Sequence, residues 1–329
     1  MAHMVIPGLR LGWLTAAAVA CLALLASRAQ ADTRGVDLRV LNTAGKSLAS
    51  ARQYTGSVEI KTDPQAKCFG QGTGGSGDRV AVEGSTALGA LRDALDSTPS
   101  LKPLSVTDAF DSQGFGLGVC GIAGYESKGS SFWYVKRNHV GAQVSGSQLK
   151  VHRGDDLLWY LSPGFPPPAE LALSAPVKAT PSVPFQVTVN SYSDDGTRRP
   201  AAGVSVTDAA APTGAAGHTT VTAPAGTEVL QATDSPDIPS SRIKVCVAAD
   251  PSSCPSARGK RILGSDHADQ INGTPGWDSI QAGGGADVID VTSGGHDEVG
   301  CGGGHDKVIV KRSDHDDRIR SSCEQVIRR

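Results

Sequence analysis

The sequence predicts a mainly β, multidomain protein, and three observations carry that prediction. From residue 257 onward an aspartate, any residue and an aliphatic recur near a nine-residue period: Asp269-Gln270-Ile271, Asp278-Ser279-Ile280, Asp287-Val288-Ile289, Asp297-Glu298-Val299, Asp306-Lys307-Val308 and Asp317-Arg318-Ile319. Such a period fixes an architecture rather than a single element. Short runs of period-two alternation fill much of 169–250, and one stretch ahead of them has helical spacing. Glycine is abundant, at 40 of 329 residues, and aromatics make up 5%, which favours turns and small β-modules over one aromatic-rich core.

Residues 1–31 read as a secretory signal peptide. A short n-region ends at Arg10, an apolar run follows from Leu11 to Ala26, and Ala29-Gln30-Ala31 offers a small-x-small cleavage site. The run is shorter than the ~20 residues a membrane span needs. Cleavage therefore leaves no predicted transmembrane span and a secreted protein, displayed at the cell surface or free. The net charge of −2 gives no global field toward nucleic acid or membrane.

The first module, 33–164, opens with Val36-Asp37-Leu38-Arg39-Val40 and Ser57-Val58-Glu59-Ile60, both strand-like. One helix follows: Ser85 or Thr86 can cap it, and Leu88, Leu91, Ala94 and Leu95 share a face. Further strands are expected at Phe132-Trp133-Tyr134-Val135, Gln148-Leu149-Lys150-Val151 and Asp156-Leu157-Leu158-Trp159-Tyr160. Strands around a single helix predict a small α+β, grasp-like domain. Gly70-Gln71-Gly72-Thr73-Gly74-Gly75 matches a dinucleotide fingerprint in letters only, since it follows a cysteine and no helix opens behind it.

The proline-rich breaks at Ser162–Pro168 and Asp250–Pro255 bound the second module, 169–250. Phe185–Val189, Val204–Val206, Thr219–Thr222 and Ile243–Val247 alternate in period two, which predicts an immunoglobulin-like β-sandwich. Six cysteines follow the signal segment, an even number in a secreted chain, and this implies disulfides. Chain position pairs them within modules as Cys68–Cys120, Cys246–Cys254 and Cys301–Cys323.

The third module, 257–329, holds the repeats. Gly276, Gly285, Gly295 and Gly304 stand two places before an aspartate. Glycines allow positive φ and bare carbonyls, and aspartate supplies the hard anionic oxygen that suits Ca²⁺. Units such as Ala282–Asp290 and Cys301–Ile309 resemble the nonapeptide of repeat-in-toxin proteins. That resemblance implies a parallel β-roll whose successive aspartates alternate between two edges. Asp269, Asp287 and Asp306 then share one edge, and Asp278, Asp297 and Asp317 the other. The implied Ca²⁺ ligands are Asp269, Asp278, Asp287, Asp297 and Asp306, with the turns of Gly276, Gly285 and Gly304. The array is degenerate: His267 and His315 replace glycine, extra residues precede Asp297 and Asp317, and 12 acidic residues face 10 basic ones in 257–329.

The first module is similar to a secreted-bacterial domain of unknown function related to the C-terminal domain of transcobalamin. The likeness rests on Thr86–Leu91, Phe115–Val119, Phe132–Val135 and Gly154-Asp155-Asp156 before Leu158-Trp159. It would make Trp133 and Tyr134 candidates for contact with a small molecule. Module order across 33–329 looks like that of actinobacterial-type secreted proteins ending in calcium-type repeats. No nucleophile, base and orienting group stand at recognisable spacing, so no enzyme is expected. The reading is a non-enzymatic, calcium-binding protein that displays its first domain to an unidentified small molecule or cell-surface partner. The alternatives are a corrinoid-like carrier and a metal-free, disulfide-stapled structural protein.

Overall fold

The structure is a computed structural model and describes residues 35–329; the expected signal peptide, 1–31, lies outside the described residues. It is mainly β, with seven sheets. The helix Ala87–Ser97 forms where its apolar spacing places it. Thr86 caps it, its hydroxyl oxygen accepting from the Gly89 N–H at 3.1 Å. Leu88, Leu91 and Leu95 are buried against a sheet containing Val36–Leu41, Ser47–Gln53, Phe132–Arg137 and Asp156–Ser162. Gln148–Val151 is not a strand. Its backbone wraps the helix start instead: the Leu149 carbonyl accepts from the Ala87 N–H, and the Val151 N–H donates to Ser85.

In 169–250 the alternating segments form small sheets. Phe185–Tyr192 pairs with Glu170–Ser174, Arg198–Pro200 and His218–Val221, and Ile243–Val247 pairs with Gly226–Leu230 and Lys178–Ala179. Their inward residues, among them Leu171, Val187, Val189, Val221, Leu230 and Val245, make one core.

From Arg261 onward the chain coils between two parallel sheets. Arg261–Leu263, Ser279–Gln281, Glu298–Gly300 and Arg318–Ile319 stack in one. Gln270–Asn272, Val288–Asp290, Lys307–Val310 and Gln325–Arg328 stack in the other. The aliphatic of each repeat points inward, so Ile262, Ile280, Val299 and Ile319 align in one row, and Ile271, Ile289 and Val308 in the facing row. Each fully buried isoleucine contributes about 1.5–3 kcal/mol, which gives a thin but continuous core.

The coil does not stand apart. Arg261–Leu263 pairs in parallel with Ser47–Gln53, so the first sheet of the coil continues into the sheet of the first module as nine strands. Tyr54 closes the near end of the coil core, its hydroxyl accepting from the Asn272 N–H at 3.2 Å. The buried Gln53 amide donates to the Gly264 carbonyl at 3.0 Å. Arg258 fixes the coil to the second module by donating to the Ala175, Pro176 and Lys244 carbonyls. A buried ion pair joins the first two modules: Arg39 Nη2 lies 2.5 Å from Glu170 Oε1, and His139 Nδ1 lies 3.1 Å from Oε2. Among the described residues, the disulfides Cys68–Cys120 and Cys246–Cys254 tie loops to strands, and Cys301–Cys323 links two turns of the coil. Among the described residues no helix is long and apolar enough to cross a membrane.

Candidate functional site

The repeat aspartates lie at the two edges of the coil, one after each turn. Asp269, Asp278, Asp287, Asp297 and Asp306 are all nearly inaccessible, at 1–2% exposure. Each edge carries a ladder. On one, the Asp269 N–H donates to Asp287 Oδ1 at 2.8 Å, Asp287 N–H to Asp306 Oδ1 at 2.9 Å, and Asp306 N–H to Glu324 Oε2 at 2.8 Å. On the other, the Lys260 N–H donates to Asp278 Oδ1 at 2.7 Å, Asp278 N–H to Asp297 Oδ1 at 2.9 Å, and Asp297 N–H to Asp317 Oδ1 at 3.0 Å. A buried N–H left without an acceptor costs about 1–3 kcal/mol, so each carboxylate serves the coil before it.

The second carboxylate oxygen separates the copies. In Asp278 both oxygens are taken by its own turn, Oδ1 by the Thr274 hydroxyl at 2.7 Å and Oδ2 by the Thr274 N–H. Asp269 Oδ2 accepts from the Ser265 N–H at 2.6 Å and lies 3.1 Å from the Ser265 hydroxyl. Farther along the coil this changes. Asp287 Oδ2, Asp297 Oδ2, Asp306 Oδ2 and Asp317 Oδ2 are buried with no hydrogen-bond partner among the described residues. Burial, opposed by the Asp269 N–H and reinforced by the Asp269 and Asp306 charges, pushes the Asp287 carboxyl up to about 8. Burial likewise raises Asp297 to about 7, with Asp278, Asp317 and Asp314 adding repulsion, and it raises Asp317.

The glycines bring the turns into contact. A Cβ on Gly304, at φ +140°, would sit 1.5 Å from the Gly285 carbonyl oxygen and 3.4 Å from Asp306 Oδ1. A Cβ on Gly295 would sit 2.2 Å from the Gly276 carbonyl oxygen and 3.0 Å from Asp297 Oδ1. The Gly276 and Gly285 carbonyls thus lie near the Asp297 and Asp306 carboxylates, with the bare Cα of Gly304 leaving room for the second of these approaches. Among the described residues, no group of three or more His, Cys, Asp or Glu side chains could hold a metal ion. Any cation at these edges would have to draw largely on backbone oxygen and water.

Two members of the ladders fall outside the Asp-x-aliphatic pattern. Glu324-Gln325-Val326 closes one ladder; an acid two places before an aliphatic was the available signal, masked by glutamate and by a short spacing. Lys260-Arg261-Ile262 begins the other, nine residues before Asp269, with lysine in the aspartate place. The Lys260 ammonium pairs with Asp37 at 2.6 Å, and Asp37 with Arg52 at 3.0 Å.

The aromatic pair of the first module is placed differently. Trp133 is buried at 7% exposure, and its indole N–H donates to the Tyr125 carbonyl at 2.8 Å. The Tyr134 hydroxyl donates to Asp194 Oδ2 at 2.7 Å, beside the buried Lys136. No protein-family model matches the chain, and no curated protein matches it significantly.

Proposed function

We propose that the protein is a secreted, non-enzymatic, calcium-binding module protein. In this reading 257–329 is a repeat-in-toxin-like β-roll, 169–250 an immunoglobulin-like spacer, and 33–164 a transcobalamin-like domain displayed at or outside the cell surface. The carrying observation is that Oδ2 of Asp287, Asp297, Asp306 and Asp317 is buried with no hydrogen-bond partner among the described residues. Several buried carboxylates at one edge are unfavourable as bare anions and are satisfied by a divalent cation. The cradle fits a hard cation: carbonyls at Gly276 and Gly285 stand where a Cβ on the next turn would sit, close to the carboxylates. Asp287 with Asp306 would hold ions on one edge, and Asp297 with Asp317 on the other. The cation supplies positive charge that lets these carboxyls stay ionised inside the fold. The chain supplies the hydrogen-bonded ladder that fixes each Oδ1 and leaves Oδ2 available.

Weak affinity, of order 10⁻⁴–10⁻³ M, suits an extracellular module. Because the coil is stitched to both other modules, ion binding would stiffen the platform that presents the first domain. A metal-free, stapled scaffold is the rival reading, and the self-satisfied Asp278 and the Cys301–Cys323 bridge favour it. Thermal unfolding in Ca²⁺, Mg²⁺ and chelator separates the two. A site held at ten times its dissociation constant adds roughly 1.4 kcal/mol. Stabilisation by Ca²⁺ and not by Mg²⁺ is expected; identical melts in all three leave the scaffold.

A further inference from the structure

Trp277 stands apart from the other tryptophans of the described residues. Trp133 and Trp159 are 7% and 2% exposed, and Trp277 is 46% exposed. It occupies the outward place just before Asp278, and residues in that place stack from coil to coil along the edge. The indole lies parallel to the His296 ring, with centroids 4.9 Å apart and planes 14° apart. That spacing is the strand spacing of the coil, ~4.8 Å. His296 Nε2 in turn lies 3.3 Å from Asp316 Oδ2. One face of the indole is therefore held, and its orientation is fixed before any ligand arrives. One coil earlier the same place is Gly259, whose Cβ would fall 1.8 Å from the Trp277 carbonyl oxygen, so no side chain rises there to cover the ring.

This indole forms part of the wall of a groove of about 340 Å³ on the edge of the coil. Ser256, Ser293 and Ser313 line it, the Ser256 and Ser293 hydroxyls donating to the Pro275 and Thr274 carbonyls at 3.3 and 2.9 Å and keeping their oxygens as acceptors, and Lys311 and Asp314 add one charge of each sign. His296 and Asp316 are already paired with each other. The groove thus combines one flat apolar platform, a ring of donors and acceptors, and nearly balanced charge. A phosphate or polyanion would meet Asp314 and Asp316. A quaternary ammonium is best bound in a cage of several aromatic faces, and here one indole serves alone. The complementary ligand is neutral, flat on one apolar face and rimmed with hydroxyls, which describes a pyranose ring. The groove runs from the turn at Pro255 and Pro275 to the turn at Ser313–Asp316, across several coils. It therefore suits a short oligosaccharide better than a single sugar.

We infer that the groove bounded by Trp277, His296, Lys311 and Asp314 binds a neutral glycan, with Trp277 as the stacking platform and Lys311 and Asp314 as hydroxyl partners. This site stands on the groove and not on cation binding, although both share one edge of the coil. In its functional setting, a secreted platform would anchor through the coil while presenting its first module.

The test is isothermal calorimetry of the full chain with chitotriose, cellotriose and maltotriose in Ca²⁺ and again in chelator, a readout that does not depend on the indole. Saturable heat with at least one trisaccharide is expected at millimolar concentration or below. Trp277→Ala should weaken binding about tenfold or more, Trp277→Tyr should retain part of it, and Lys311→Ala or Asp314→Asn should weaken it several-fold. Circular dichroism should be unchanged in Trp277→Ala, because the ring is exposed. Flat titrations with all three sugars in both buffers overturn the inference. So does binding that survives Trp277→Ala, or saturation by choline in place of sugar. Binding seen in Ca²⁺ and lost in chelator retains the glycan site and shows that its coil needs the ion.

Discussion

Asp297 separates the structural role of the ladder from its proposed ionic role. Its Oδ1 accepts from the Asp278 N–H at 2.9 Å, and its Oδ2 is buried without a partner among the described residues. Asp297→Ala removes that acceptor and should destabilise the chain by about 1–3 kcal/mol in chelator. Asp297→Asn keeps an acceptor in the same place and removes the charge. Burial raises the Asp297 carboxyl from 3.8 to about 7. A carboxyl raised on folding contributes stability that is fully present below about 3.8 and is lost as pH rises through about 7. Each factor of ten over that interval is worth about 1.36 kcal/mol, about 4 kcal/mol by pH 7. The turn lies at the protein edge, where water screens charge, and about 2 kcal/mol is the realistic remainder. In chelator at pH 7, Asp297→Asn should therefore match or exceed the parent by up to about 2 kcal/mol, and this advantage should vanish near pH 4. In Ca²⁺ the order should reverse, because the variant offers a weaker ligand. Urea unfolding of parent, Asn and Ala chains in both buffers reads all of this. Equal destabilisation by Asn and Ala in chelator, with no effect of Ca²⁺, would rule out an ionic role for Asp297.

Other expectations follow from single contacts. Gly304→Ala drives a Cβ into the Gly285 carbonyl and should loosen the last coils by several kcal/mol, whereas Gly303→Ala, with nothing within 4 Å of its Cβ, should be nearly silent in thermal melts. Cys301→Ser with Cys323→Ser opens a cross-link spanning 22 residues and should cost about 3 kcal/mol, read as earlier hydrogen exchange in 298–328. Asp93 is 4% exposed and accepts from the Gly56 N–H at 2.8 Å, and burial raises its carboxyl to about 7. The stability it contributes is fully present below about 3.8 and is lost as pH rises through about 7; Asp93→Asn should flatten the pH profile of unfolding between about pH 4 and pH 7. Glu170→Ala leaves Arg39 buried and unpaired and should cost about 3–5 kcal/mol, with the Arg39→Met/Glu170→Met pair recovering most of it.

The local elements were legible in the sequence because local physics dictates them. Apolar spacing and Thr86 announced the helix, and the recurring aliphatics announced strands whose rows stack every second copy. Gln148–Val151 misled because β-type composition there serves a helix start, a non-local demand. The Arg39–Glu170 pair spans 131 residues, and the joint between Ser47–Gln53 and Arg261–Leu263 crosses what composition marks as separate modules. Neither leaves a local trace. The Trp277–His296 stack was readable, since copies two apart share an edge and these residues hold the same place in theirs. The candidate ligands were likewise readable as aspartates. That Asp278 is satisfied by Thr274 while Asp287 and Asp297 are not depends on hydrogen-bond geometry that spacing does not encode.

Isothermal calorimetry of Ca²⁺ into the oxidised full chain reads out cation binding at the coil edges. The same titration with Mg²⁺ and with an Asp287→Asn/Asp297→Asn variant completes it, one substitution on each edge. Saturable heat is expected at submillimolar to millimolar Ca²⁺, with little from Mg²⁺ and a large loss in the variant while its fold persists. Absence of heat from a chain equally stable in Ca²⁺ and chelator would contradict cation binding, leaving the ladder as a metal-free hydrogen-bonded scaffold.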